Sequence, residues 1–176
     1  MFALLYDPVK EIRLAKKQSY SRILLYLVAA ALFETVGLLF FAWNFFPDKF
    51  SNDLLVMGVF GVLGGLILAH LVVAFFFSLA LHVLDGKAGY YEGLSALVLS
   101  FVAPAVAVFF AGALSFIPFG TFLSILLLMY GYVLGGATLF RSAKEFFELD
   151  YAGVLVGFLI TKFVFAGAVV GFIFLR

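Results

Sequence analysis

Glu34, His70 and Lys162 are ionisable side chains that fall deep inside long apolar stretches of this chain. A charge placed mid-helix in a bilayer costs about 2.5–3.5 kcal/mol on insertion scales, so each requires a partner or a role. A carboxylate, an imidazole and an ammonium gathered at one depth could relay a proton or hold an ion. The same carboxylate and ammonium could instead form a buried clasp that fixes helix packing. Glu34 and Lys162 are each twelfth in their own apolar stretch. That matched depth predicts an ion pair between the first and last membrane helices, with His70 as a candidate third member of an intramembrane polar site.

Other chemistry is poorly provided for. The chain has no cysteine, which removes thiolate metal sites, cysteine nucleophiles and disulfides together. His70 and His82 are twelve residues apart, about 18 Å along a helix, too far to share a metal. Neither Gly-x-Ser-x-Gly nor His-Glu-x-x-His occurs, and Asp85-Gly86-Lys87 lacks the rest of a phosphate loop. No catalytic residue, metal or cofactor is expected, and the chain reads as non-enzymatic.

The elements that must position these residues follow from composition. Of the 176 residues, 66% are hydrophobic and 12% charged, where soluble domains run at roughly 45–50% and about 25%. So short a soluble chain cannot bury two-thirds of its residues, and lipid must act as solvent for the surplus. A helix needs about 20 apolar residues to cross the hydrocarbon. Five stretches qualify, Ile23–Trp43, Leu54–Leu84, Gly93–Phe116, Phe119–Phe140 and Tyr151–Leu175. The expected fold is therefore all-α, a polytopic five-helix bundle over residues 23–176 behind a basic segment at 1–22. The second stretch is overlong and should tilt, kink or leave the membrane early. The weakest divider is Ile117-Pro118-Phe119-Gly120, for which a tight turn and a continuous apolar run are both open.

Lys and Arg in the loops set orientation. With five spans, Lys10, Arg13, Lys16, Lys17, Arg22, Lys87, Arg141 and Lys144 share one side, against Lys49 and Arg176 on the other. The N-terminus is thus expected in the cytoplasm and the C-terminus outside. Asp7-Pro8 resembles a helix start, with Asp7 as cap and Pro8 in the first turn. The segment that follows carries Val9 and Ile12 with Lys10, Arg13, Lys16 and Lys17. It can lie amphipathically on the leaflet and contact anionic lipid, or simply supply the positive-inside signal. The charge pattern contains no basic stripe for nucleic acid; the bilayer is the expected partner.

Small residues at four-residue spacing, Gly61/Gly65, Gly131/Gly135, Gly153/Gly157 and Gly167/Gly171, allow close helix approach within one bundle or across a homo-oligomer or protein-partner interface. Pro104, mid-way along the third span, is a candidate kink. The tail Phe146–Asp150 reads as an interfacial connector.

In order, these features resemble the YIP domain family, membrane proteins related to Rab-interacting proteins of the Golgi. The likeness rests on Asp7-Pro8 with its basic helix, and on Leu81-His82-Val83-Leu84-Asp85-Gly86-Lys87-Ala88-Gly89-Tyr90-Tyr91 leading into a span that reaches Ala103-Pro104. The charged Arg141–Asp150 connector before a glycine-rich last span completes it. The resemblance implies five spans, a cytoplasmic N-terminus and a compact prokaryote-like member of a family of trafficking-type membrane factors. Its leading implication is a non-enzymatic scaffold or membrane-organising protein. The residues themselves leave a second reading, a small transporter or channel-like protein using Glu34, Lys162 and His70 at the midplane.

Overall fold

The computed structural model describes Ile12, Leu14 and residues 18–47 and 52–174, with side chains at all of these except 52–55 and 168–174. The Asp7-Pro8 helix start and the cations Lys10, Arg13, Lys16 and Lys17 lie outside the described residues. Five long helices follow one another: α1 Tyr20–Phe45, α2 Asn52–Val83, α3 Tyr90–Leu114, α4 Gly120–Phe147 and α5 Tyr151–Phe174. No strand occurs among the described residues. The first four are long and apolar enough to cross a membrane, and the described side chains of α5 form a shorter apolar helix, Tyr151–Gly167.

These helices are apolar around most of their circumference, as expected where the solvent is hydrocarbon and each backbone N–H must be satisfied within its own segment. Met57, Phe60, Leu68, Phe75 and Leu79 on α2 all point outward. In soluble proteins an apolar surface of that extent would be an association site; here it faces the place of lipid.

Helix α3 is the centre of the bundle. In its most apolar window 67% of residues are buried in protein, against 6% for α2. It packs most extensively on α4 and then on α1, while α2 and α5 lean on each other and on the flanks. Small residues make this possible. Gly37 of α1 and Gly112 of α3 meet backbone to backbone, since a Cβ on Gly37 would lie 2.5 Å from the Val108 carbonyl oxygen. Gly131 and Gly135 of α4 sit on Ala107, Pro104 and the Ser100 carbonyl of α3. Proline at 104 has no N–H to offer that carbonyl. The helix is uninterrupted across Pro104, and the freed Ser100 oxygen instead faces the glycine backbone of α4.

The doubtful divider between α3 and α4 is a tight turn. Ile117 N–H donates to Leu114 O (3.1 Å) and Gly120 N–H to Ile117 O (2.9 Å). Phe119 adopts the left-handed region at φ 62°, and a Cβ on Gly120 would run into the Leu114 carbonyl. The middle helices therefore form an antiparallel hairpin, and a single fused span is excluded.

Loops alternate between the two ends of the bundle. At one end Asn44 Nδ2 donates to Ser115 O (3.0 Å), joining the loops after α1 and α3. At the other, Lys87 N–H donates to Phe147 O (3.2 Å) and Lys87 Nζ to Glu148 Oε2 (2.8 Å). There too Tyr91 OH donates to Gln18 O (2.7 Å). Hence Gln18, the Leu84–Gly89 turn and the α4–α5 connector share a face.

One boundary expectation needs correction. Helix α4 continues through Arg141–Phe147, shortening the expected Arg141–Asp150 connector to residues 148–150. The reason is local periodicity: Leu139, Ser142, Ala143, Phe146 and Phe147 fall on one face and are all buried. Ile12 is fully buried in the core cluster that also holds Phe77, Leu81, Phe147 and Val154, while the cations expected to meet lipid beside it lie outside the described residues.

Candidate functional site

Glu34, His70 and Lys162 line one cavity of about 450 Å³, to which all five helices contribute. Glu34 comes from α1, His70 from α2, Ser100 and Pro104 from α3, Tyr132 from α4, and Lys162 from α5. One wall is the close contact of Gly135 of α4 on Pro104 and the Ser100 carbonyl of α3.

The expected Glu34–Lys162 ion pair is not formed. Glu34 Oε2 is inaccessible to solvent and has no hydrogen-bond partner among the described residues. Lys162 is exposed, its Nζ 5.3 Å over the ring of Phe158, a distance suited to a cation–π contact. The packing explains the difference. Helix α1 is held by α3 and α2, and α5 by α2 and α4, so α1 and α5 are not among the packed pairs. Similar positions along their spans bring the two charges to one cavity, but the interposed helices keep them from touching.

His70 is oriented from its own helix. Its Nδ1 lies 2.8 Å from the Leu66 carbonyl, and a carbonyl only accepts, so Nδ1 carries the proton. A neutral ring then keeps its Nε2 lone pair available. The ring also lies against Phe101, with centroids 3.9 Å apart at 34°. His82 lines a different cavity, with Ser78 and Tyr90 at the end of α2, and among the described residues no group of three or more His, Asp or Glu could hold a metal.

The cavity thus presents acceptors at Glu34 and His70 Nε2, and donors at Lys162 and the Tyr132 hydroxyl. That set can bind a small polar or ionic solute or hand on a proton, without a covalent step. Tyr132 was not singled out from sequence. Its signal is a phenol mid-way along an apolar span.

The small-residue pairs divide. Gly131/Gly135 pack on α3, and Gly157 packs on Leu81, whereas Gly61, Gly65 and Gly167 have nothing within 4 Å of where a side chain would begin. Gly171 lies outside the described side chains.

No family model matches this chain, and no curated protein or solved structure is significantly similar to it.

Proposed function

We propose that this protein is a five-span, non-enzymatic membrane protein that binds and passes a small polar or ionic solute, or protons, through the cavity between its helices. The observation that carries this reading is the convergence of Glu34, His70, Tyr132 and Lys162 on one cavity while Glu34 and Lys162 stay unpaired. A structural clasp would bring those two charges together and leave no space between them. Open space, an unsatisfied carboxylate and an exposed ammonium suit a ligand that completes the set. The end of the bundle carrying Arg22, Lys87, Arg141 and Lys144 supports a cytoplasmic placement of the N-terminal side.

Reconstitution tests it. Proteoliposomes should dissipate a pH or alkali-cation gradient faster than empty vesicles, and Glu34→Gln should slow this by about tenfold to a hundredfold, the worth of one charge-assisted hydrogen bond. Flux equal to empty vesicles, or a folded Glu34→Gln/Lys162→Met double variant that matches wild type, would sink the reading.

A second reading is the scaffold that the YIP-like order of features implies. One observation favours it: Gly58, Gly61, Gly64 and Gly65 leave one half of α2 uncovered, with nothing within 4 Å of their absent side chains, room in which a partner helix could approach closely. Crosslinking between cysteines placed at Gly61 in separate copies or in a partner would support it; lipid-only contacts there would remove its basis.

A further inference from the structure

The groove between α4 and α5, on the opposite side of α4 from the midplane cavity, has the chemistry of a lipid site. It encloses about 350 Å³ and is lined by Leu134, Ala137, Thr138, Phe140, Arg141 and Tyr151. Its polarity is graded. Leu134, Ala137 and Phe140 make the wall toward the interior of the apolar stretch, and Arg141 and Tyr151 stand at its cation-bearing end.

The polar end is rich in donors. Arg141 is exposed and makes no hydrogen bond or ion pair among the described residues. Lys144, one turn on, is exposed and lies 4.1 Å over the Tyr151 ring. Tyr151 is 54% exposed, and its hydroxyl makes no hydrogen bond among the described residues. Thr138 is already satisfied, its Oγ1 donating to Leu134 O (2.8 Å). The acids of the connector are turned elsewhere: Glu148 to Lys87 (2.8 Å) and Asp150 to the Gly153 N–H (2.6 Å). Glu145, the acid beside Lys144 on α4, is half-buried and engaged in an interaction of its own, and no carboxylate lines the groove among the described residues. A guanidinium, an ammonium and a phenol at its end call for an anionic, oxygen-rich group. The apolar wall beside them calls for a hydrocarbon chain on the same molecule. Basic pockets between membrane helices are a recurrent mode of anionic headgroup recognition.

We propose that this groove binds an anionic phospholipid, its phosphate held by Arg141, Lys144 and Tyr151 and one acyl chain laid along Leu134, Ala137 and Phe140. The site is independent of the midplane cavity and of the transport reading.

The test is lipid retention on the purified full-length protein, read by native mass spectrometry after exchange against phosphatidylglycerol and phosphatidylcholine of matched chains. Wild type should prefer phosphatidylglycerol, and Arg141→Gln and Lys144→Gln should each lower that preference by about fivefold, the usual worth of one cation near an anionic leaflet. Lys87→Gln, a cation at the same end but outside the groove, should leave it unchanged. Arg141→Lys, which keeps the charge, should retain most of it, and it serves if the glutamine variant does not fold. Glycerophosphoglycerol, the headgroup without chains, should not compete. The proposal falls if wild type shows no preference, if Lys87→Gln costs as much as Arg141→Gln, or if the chain-free headgroup competes as well as the lipid.

Discussion

The crossing of α1 and α3 gives the sharpest stability prediction. A Cβ added at Gly37 would lie 2.5 Å from the Val108 carbonyl oxygen and 2.6 Å from the Phe109 nitrogen. An unstrained carbon–oxygen contact needs about 3.3 Å, so Gly37→Ala forces the two backbones apart by about 0.8 Å, and neither obstructing atom is a side chain that could rotate away. Overpacking of this kind costs about 1–3 kcal/mol. It is offset by about 1 kcal/mol from the better helix propensity of alanine. Because both helices must move, the upper half of that range applies, leaving about 1–2 kcal/mol of net loss. Gly61→Ala is the matched control: the same change, in a helix interior, with nothing within 4 Å, so only the propensity gain of about 1 kcal/mol remains. At about 2–4 °C per kcal/mol for a chain of this size, Gly37→Ala should melt lower than wild type and Gly61→Ala higher. Thermal unfolding in one detergent, followed by circular dichroism, reads both. If Gly37→Ala melts at or above Gly61→Ala, the backbone-to-backbone crossing is wrong.

Phe119 sits at φ 62° with 91% of its surface exposed, so it bears left-handed strain without a packing contact in return. Phe119→Gly should stabilise by about 1 kcal/mol; an unchanged or lower melting temperature would contradict the turn geometry. The Lys87–Glu148 bridge is exposed, with side chains at 75% and 57%, and its loss should cost little at neutral pH. Hydrogen bonding and charge attraction from Glu148 hold the Lys87 ammonium above the usual lysine range. A raised folded value means the lysine's contribution is complete below its unfolded pKa and disappears as pH climbs through the folded one. The melting difference between wild type and Lys87→Gln should therefore be flat from neutral pH to the ordinary lysine range and shrink to nothing above it. A difference that persists or grows there would show that Lys87 acts by packing instead.

Much of the architecture was legible from residue order. The five apolar stretches reappear as five helices, and the ends moved by only a few residues except at α4. There the run Arg141–Phe147 reads as polar when averaged, although its apolar residues recur at helical spacing and bury one face. Window averages erase that phase. The site was legible in its members and not in its geometry. Glu34, His70 and Lys162 stand out because charge inside hydrocarbon is costly, and that cost is visible in any single sequence. Whether two such charges touch depends on which helices are neighbours, and the pattern of apolar residues does not encode this when each helix is apolar all round.

The sequence by itself determined that this chain lives in lipid, that it is helical, and which ionisable groups lie at depth. These follow from composition and from the length of each apolar run against the thickness of a bilayer. Tertiary structure alone decided that Ile117–Gly120 is a turn, that α3 is the central helix, and that α1 and α5 stay apart. It also decided that Glu34 and Lys162 share a cavity instead of a bond. Those outcomes rest on close approach at Gly37, Gly112, Gly131 and Gly135. In a membrane, where hydrophobicity does not choose between neighbours, it is the fit of one backbone against another that selects them.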